Sequence, residues 1–196
     1  AASDVYKRQK QTELQQLKKQ INPHFLFNML NNANILVKDA PDEASQILEK
    51  LDNLLRYQLN DSTRREVFLT ADIQFLTSFL ELEKVRRDHF EYTIFQEGNM
   101  ENICIPPLLF IPFVENAVKH NLDSDNLSYV HLYFSVHNKQ LTFRCENSKP
   151  RVPVKREGGI GLANVKRRLD LLYESRYTLQ IEDKETTYNV NLHLNL

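Results

Sequence analysis

Residues 14–35 read LQQLKKQINPHFLFNMLNNANI, and this stretch decides the first part of the fold. Steps of three and four residues connect a seam of Leu14, Leu17, Ile21, His24, Asn28, Asn31 and Ile35. This heptad spacing predicts one long helix. Phe25, Leu26 and Phe27 place further apolar side chains around the seam, so we expect the helix to be buried on several sides. Pro23 removes one backbone donor and predicts a kink beside the His24 imidazole.

A second helix is predicted after the turn that Pro41 marks. Its apolar residues share one face: Ala44, Ile47, Leu48, Leu51, Leu54 and Leu55. The two helices predict an antiparallel hairpin within residues 1–66. Because two such hairpins would complete a four-helix bundle, we expect a homodimer formed through this hairpin.

The rest of the chain, residues 67–196, alternates helical and extended patterns. A helix capped by Thr70 carries Ile73 to Val85, and further helices are predicted over 108–121 and 160–173. The predicted strands are Tyr92–Phe95, Tyr129–Val136, Gln140–Cys145, Tyr177–Glu182 and Tyr188–Leu194. These patterns predict an α+β chain in which helices cover a mixed, mainly antiparallel sheet.

Composition excludes several classes of protein. The 196 residues include 25 Lys+Arg and 26 Asp+Glu, for a net charge of −1, with 41% hydrophobic residues. These values are typical of a globular chain, and they give no general attraction to nucleic acid. Cys104 and Cys145 are too few for a disulfide framework and lack metal-ligand spacing, which fits a reducing compartment. No secretory signal and no apolar run of about 18 residues is found in the sequence.

His24 occupies a seam position where an apolar residue is expected. Asn28 follows four residues later on the same helix face, where its amide can bond a ring nitrogen. A neutral imidazole is a competent nucleophile near pH 7, so His24 is a candidate acceptor of a phosphoryl group. A histidine satisfied inside a helical bundle is the alternative that the residues alone leave open.

A second polar group follows Pro112 on a predicted helix: Glu115, Asn116, Lys119 and His120. Mg²⁺ takes oxygen ligands and shares them with substrate phosphates. Asn116 can supply such an oxygen, and Lys119 can meet a phosphate. From the residues alone, a solvated amphipathic face is the more common explanation.

Three of the four glycines, Gly158, Gly159 and Gly161, lie within four residues of one another before a helix. Glycines allow a phosphate to approach the backbone, and helix N-termini attract anions. Residues 149–168 hold seven Lys/Arg and one Glu, a local charge of 7 − 1 = +6, so a polyanion site and a solvated basic face are both open. No Gly-Lys-Ser/Thr follows, which excludes a P-loop, and the spacing does not fit a Rossmann fingerprint.

Three strings, in this order and spacing, resemble the LytS-type sensor histidine kinases from about Leu14 onward. The phosphoacceptor motif of that family resembles QINPHFLFN at 20–28. Its N box resembles IPP at 105–107 together with ENAVKH at 115–120. Its second glycine box resembles GIGLANVKRRL at 159–169. The resemblance implies a dimerising phosphoacceptor hairpin over 1–66 and an ATP-binding domain of the GHKL (Bergerat) fold over 67–196.

By this resemblance, His24 receives the γ-phosphoryl group of ATP and passes it to an aspartate on the receiver domain of a response regulator. Asn116 is the implied Mg²⁺ ligand, with Glu115 beside it as a candidate base and Lys119 or His120 near the phosphates. The implied nucleotide-binding residues of the lid are Gly159, Gly161, Leu162 and Asn164. Membrane helices upstream in the family imply a position at the cytoplasmic face of a bacterial inner membrane.

Two departures from the family pattern matter. Where the first glycine box usually reads Asp-x-Gly, this chain has Cys-Glu-Asn-Ser-Lys at 145–149, so both Glu146 and Asn147 are candidates to bind the adenine amino group. Phe25 follows His24 where many other histidine kinases carry an acidic residue. The first departure motivates an alternative, a degenerate GHKL module that dimerises and relays a signal without ATP turnover. Another GHKL ATPase, of the chaperone or mismatch-repair type, is disfavoured by the His24 motif.

Overall fold

The computed structural model describes residues 8–14, 22–123, 126–151 and 160–196. Residues 8–14 are helical. The helices that follow are α1 (Pro23–Leu36), α2 (Pro41–Leu59), α3 (Leu69–Arg86), α4 (Ile111–His120) and α5 (Ile160–Tyr173), with a short 3₁₀ turn at Asp61–Thr63. The strands are β1 (Val67–Phe68), β2 (Phe90–Gly98), β3 (Cys104–Ile105), β4 (Ser128–His137), β5 (Gln140–Ser148), β6 (Tyr177–Asp183) and β7 (Thr187–Asn195).

Five of these strands form one mixed sheet in the order β2-β4-β5-β7-β6. The β2–β4 pair is parallel, and the other three neighbouring pairs are antiparallel. β1 and β3 form a separate antiparallel pair. The predicted α+β fold with a mixed, mainly antiparallel sheet is therefore confirmed.

An aromatic cluster fixes α4 against the sheet. Phe143 of β5 lies 4.5 Å from Phe110, 5.0 Å from Phe134 of β4 and 5.8 Å from Phe113 of α4, measured between ring centroids. Phe110, Phe134 and Phe143 have no exposed surface. Because all these rings lie on one face of the sheet, that face carries the helices and the other faces solvent.

The segment around His24 does not form the single kinked helix that the heptad spacing predicts. Asn22 has non-helical backbone angles (φ −58°, ψ 122°), and its side chain accepts a hydrogen bond from the His24 backbone N–H at 2.9 Å. Pro23 is therefore the first residue of α1, a position where its missing donor costs nothing. The prediction was wrong because an Asn-Pro pair caps a new helix as readily as it kinks an existing one. Residues 15–21, which carry the middle of the seam, lie outside the described residues.

The buried face of the hairpin also differs from the predicted seam. Phe25, Met29 and Ala33 are buried, and the Phe25 ring lies 5.1 Å from Phe79 of α3. His24, Asn31 and Ile35 of the seam are exposed, as are Leu48 and Leu55 of α2. Packing against α3 selects the face one position along the helix from the seam.

Two predicted helix starts are corrected as well. Phe68, not Thr70, occupies the N-cap of α3, and no side chain caps it. α4 begins at Ile111 rather than at 108, because Leu108 has a left-handed backbone conformation (φ 57°) that a helix cannot contain.

A buried polar junction, formed by Tyr57, Asp72, Pro107, Leu108 and Arg168, joins the hairpin to the sheet domain. Oδ1 of the fully buried Asp72 accepts hydrogen bonds from the Tyr57 hydroxyl and, at 3.1 Å, from the Leu108 N–H. Arg168 of α5 is 3% exposed and donates to the Leu108 carbonyl at 2.6 Å and to the Pro107 carbonyl. Burial raises the pKa of Asp72 to about 6, although hydrogen bonds from Tyr57 and Leu108 and the charge of Arg168 oppose the shift.

This carboxyl makes stability depend on pH. Its pKa rises on folding from about 3.9 to about 6, so the folded chain holds the proton more tightly in that window. The stability gained from protonated Asp72 is present at low pH and lost as the pH rises through about 6. Relative to Asp72→Asn, the wild-type free energy of unfolding is expected to fall by about 2 kcal/mol between pH 4 and pH 7. Urea unfolding of both proteins across this range measures the difference, and a difference independent of pH would contradict the assignment.

Candidate functional site

His24 lies in the first turn of α1 with its side chain exposed. Its Nδ1 is 3.3 Å from the side-chain amide nitrogen of Asn28, one turn later. In this orientation the amide nitrogen donates to Nδ1. Rotation of the amide by 180° would instead present its oxygen, which accepts a hydrogen bond from a protonated Nδ1. In that tautomer, Nε2 carries the free lone pair. The predicted pairing of Asn28 with His24 is thus present in the structure.

Helix α4 presents the second polar group. Its apolar residues Phe113, Val114, Ala117 and Val118 are buried. The opposite positions leave Asn116 and Lys119 exposed and Glu115 and His120 half-buried. A helix packed on the sheet therefore displays an amide oxygen and an ammonium group on its solvent side.

The C-terminal end of α4 is held by Arg87. Its guanidinium donates to Asn121 Oδ1 at 3.0 Å and to Ser128 Oγ at 2.7 Å, and lies 4.5 Å from the Phe90 ring centroid. Asn121 is fully buried and donates to the Tyr129 carbonyl at 3.0 Å. These contacts tie α4 to the start of β4, while the polar junction holds the residues just before α4.

The two candidates for binding the base lie on opposite faces of β5. Asn147 is buried and continues the inward-facing series that contains Phe143, on the side that carries α4. Its amide nitrogen donates to the Ser148 carbonyl at 2.8 Å. Glu146 faces the other side, where it pairs with Arg144 at 3.0 Å and accepts from the Tyr129 hydroxyl at 3.4 Å. Asn147 therefore lies on the face of the sheet that carries α4, and Glu146 lies on the other.

Part of the second glycine box is described. Gly161, Leu162 and Asn164 lie in the first turn and a half of α5 and are exposed. A Cβ placed on Gly161 would meet nothing within 4 Å, so the chain itself does not require glycine there. Gly158 and Gly159 lie outside the described residues.

The amide oxygen and the ammonium group on α4 are chemically suited to a Mg²⁺–nucleotide complex. The described part of the chain contains no cluster of three or more His, Cys, Asp or Glu that could hold a metal ion. Mg²⁺ in such sites keeps one or two protein oxygens and takes its other ligands from phosphates and water. The exposed Asn116 amide suits this role, with Lys119 one turn later to meet a phosphate.

The structure unites some of the predicted residues and not others. His24 with Asn28 forms one group, and the α4 residues form a second. The only side-chain hydrogen bond of His24 to any described residue is the one to Asn28. Sequence reasoning missed the polar junction. The sequence places Arg168 in the basic run of residues 149–168, which predicts an exposed side chain. The signal for its burial is its position beside Val165, Leu169 and Leu172, the apolar face of the same helix.

Comparison with known proteins agrees with these features. The histidine kinase family model matches residues 12–90. The sensor protein LytS of Staphylococcus haemolyticus (strain JCSC1435) is 30% identical over 200 residues, covering 94% of this chain and 34% of the relative. The sensor histidine kinase YpdA of Escherichia coli (strain K12) is 33% identical over 110 residues, covering 56% of this chain and 20% of the relative. This chain thus spans about a third or less of the length of these relatives.

A solved structure shows the same fold. The histidine kinase domain from the Erythrobacter litoralis EL346 blue-light activated histidine kinase has a TM-score of 0.51 and 16% identity, covering 96% of this chain and 93% of that chain. Residues 12–90 belong to the histidine kinase family, and the resemblance to LytS-type sensor kinases is confirmed over most of the chain.

In the described ranges no helix is both long and apolar enough to cross a membrane.

Proposed function

We propose that this chain is the catalytic core of a sensor histidine kinase of a two-component system. In this function it transfers the γ-phosphoryl group of ATP to His24 and then to an aspartate on a response regulator. The observation that carries the proposal is the exposed His24 imidazole paired with Asn28, in a chain whose α4 displays Asn116 and Lys119. The family match over 12–90 and the sensor-kinase names of the relatives support it.

In this function, Asn28 holds the imidazole in the reactive tautomer. When the amide is turned so that Asn28 Oδ1 accepts from Nδ1–H, the Nε2 lone pair is free to form the N–P bond while the bond between the γ-phosphorus and the bridging oxygen breaks, releasing ADP. The phosphorylated ring then carries its proton on Nδ1, and Glu115 is the candidate base that receives this proton. Because phosphoryl transfer depends on positioning and charge neutralisation, these groups need correct placement more than covalent reactivity.

The residues of α4 and α5 bind the nucleotide in this proposal. Bound Mg–ATP supplies the transferable phosphoryl group. Asn116 ligates Mg²⁺, and Lys119 and His120 neutralise phosphate charge. In α5 and the segment before it, Gly159, Gly161, Leu162 and Asn164 border the phosphates.

Asn147, rather than Glu146, is proposed to bind the adenine amino group. The bond from its Nδ2 to the Ser148 carbonyl fixes the amide so that Oδ1 remains as an acceptor. Glu146 is committed to Arg144 and Tyr129 on the other face of the sheet.

We further propose residues 1–66 as the dimerisation and phosphoacceptor unit and 67–196 as the ATP-binding unit. The hairpin exposes Phe27, Leu48 and Leu59 at 70%, 46% and 70% of their surfaces, which is apolar area that a second hairpin would cover. The receiver domain of a response regulator is the second proposed partner, and nucleic acid is not a proposed partner. Attachment to a membrane through segments outside this chain, with this region at its cytoplasmic face, stays a prediction.

Labelling with γ-labelled ATP and Mg²⁺ tests the proposal. The wild-type chain is expected to acquire acid-labile, base-stable label. His24→Gln is expected to acquire none, because glutamine offers no ring nitrogen to form the N–P bond. His89→Gln, which changes another exposed histidine, is the matched control and is expected to label like the wild type.

Three outcomes discriminate the functions. Label that persists in His24→Gln would refute His24 as the acceptor. Phosphate released to solution without labelled protein would favour a GHKL ATPase of another type. Absence of both nucleotide binding and label would favour the degenerate module that dimerises without ATP turnover.

A further inference from the structure

The polar junction connects three helices whose relative positions the proposed reaction must hold fixed. Tyr57 lies near the end of α2 in the hairpin, Asp72 in the first turns of α3, and Arg168 within α5. Asp72 and Arg168 bond the backbone of Leu108 and Pro107, just before α4 begins, and Tyr57 bonds Asp72. These contacts therefore join all three helices to the segment that precedes α4.

The backbone at this point needs such support. Leu108 has a φ of 57°, a conformation that residues other than glycine, asparagine and aspartate rarely adopt, and it is 1% exposed. Its N–H donates to Asp72 at 3.1 Å, and its carbonyl accepts from Arg168 at 2.6 Å. A strained residue persists only when its surroundings fix it from more than one side, and here two buried charged groups do so.

The Tyr57 hydroxyl connects the hairpin to this point. The Tyr57 hydroxyl donates to the same Asp72 oxygen that accepts from Leu108. The Tyr57 ring is independently held by a stack on Phe75, with 4.5 Å between centroids. The hydroxyl can therefore be removed while the packing of the ring is retained.

We propose that Tyr57, Asp72 and Arg168 are positioning residues that set the placement of α4, with Asn116, relative to the hairpin that carries His24. The proposal rests on the proposed kinase function. Asp72 and Arg168 fix the start of α4, and Tyr57 links that fixed point to the hairpin. In a transfer reaction a displacement of about 1 Å can cost about 100-fold in rate, so loss of the link acts on transfer more than on binding.

The test compares two Tyr→Phe variants for Mg–ATP affinity and for the rate of His24 labelling at saturating ATP. Tyr57→Phe is expected to bind Mg–ATP within about twofold of the wild type and to label about tenfold or more slowly. Tyr133→Phe is the matched control, because its hydroxyl also donates to a carboxylate, that of Glu97, on the solvent side of the sheet. Its affinity and rate are expected to match those of the wild type.

A second measurement needs no nucleotide. In Arg168→Lys, which cannot bond both carbonyls as a planar fork does, hydrogen exchange at Leu108 and in the first turn of α4 is expected to be about tenfold faster than in the wild type. Exchange in β4 serves as the internal reference and is expected to change little.

The failures are distinguishable. If the wild type labels and Tyr57→Phe labels as fast as Tyr133→Phe, the positioning proposal is wrong and the kinase function stands. If the wild type binds Mg–ATP without labelling, the kinase function fails. The hydrogen-exchange result for Arg168→Lys then decides whether the junction fixes the start of α4. Unchanged exchange in Arg168→Lys would overturn the role of Arg168 in either case.

Discussion

Replacement of Asn116 with alanine is expected to lower His24 labelling by about 100-fold or more, the scale on which removal of one charge-stabilising group acts. Asn116 projects from the solvent side of α4, and its amide oxygen is the proposed Mg²⁺ ligand. Because the side chain is exposed, its removal should change the free energy of unfolding by less than about 0.5 kcal/mol. Labelling rates and Mg–ATP titrations, with urea unfolding of the same preparations, measure both effects.

Asn53→Ala is the matched control for this prediction. Asn53 is an exposed asparagine on α2, and the proposed function assigns it no role. Equal labelling of the two variants would remove Asn116 from the metal site. A loss of stability in Asn116→Ala would instead indicate a structural role for the side chain.

Replacement of Phe143 with alanine is expected to have the largest effect on stability, about 3–5 kcal/mol. Phe143 is fully buried and contacts Phe110, Phe113 and Phe134, so its removal leaves a cavity between the sheet and α4. Since domains of this size are stabilised by about 5–15 kcal/mol in total, we expect a large fall in the urea midpoint. Nucleotide binding is expected to fall with it, because the same ring supports the helix that carries Asn116.

Phe95→Ala provides the comparison for the aromatic cluster. Phe95 is 58% exposed and stacks on Tyr133 on the solvent side of the sheet, at 5.4 Å between centroids. Its loss should cost about 1 kcal/mol. Similar costs for the two phenylalanines would contradict the placement of the core between α4 and the sheet.

Most elements of the sheet domain are evident from sequence because their signals are local. Alternating apolar residues mark β4 and β5, and the turn at residues 138 and 139 separates them. Helix α4 shows its buried face at Val114, Ala117 and Val118, so the solvent position of Asn116 follows from helical periodicity alone. The pairing of Asn28 with His24 follows from the same periodicity.

The hairpin was predicted less well because its apolar residues surround the helix. When Phe25, Phe27 and Met29 are all available, periodicity does not determine which of them α3 covers. The buried face is the one that packs on the core, where Phe25 lies against Phe79 and Met29 and Ala33 are also buried. The Asn22–Pro23 pair was ambiguous for a similar reason, since it is compatible with both a kink and a helix start.

The polar junction could not be predicted from the sequence, for a different reason. Tyr57, Asp72 and Arg168 are distant in sequence, and polar residues in helices are usually solvated. Their burial depends on contacts between helices and with the Leu108 backbone, which no local pattern specifies. The choice between Glu146 and Asn147 likewise needed the register of β5, because adjacent residues of a strand face opposite sides.

The central claim is that His24 accepts phosphate from ATP, and mapping of the phosphate tests it most directly. After incubation with Mg–ATP, peptide mapping under alkaline conditions locates the modified residue, and phosphorus NMR of that peptide identifies the bonded nitrogen. We predict phosphate on the His24 peptide, attached at Nε2, because the Asn28 amide lies against Nδ1 and its oxygen, once turned toward the ring, would hold the proton there. Phosphate on any other residue, or an unmodified His24 in a chain that binds Mg–ATP, would contradict the account.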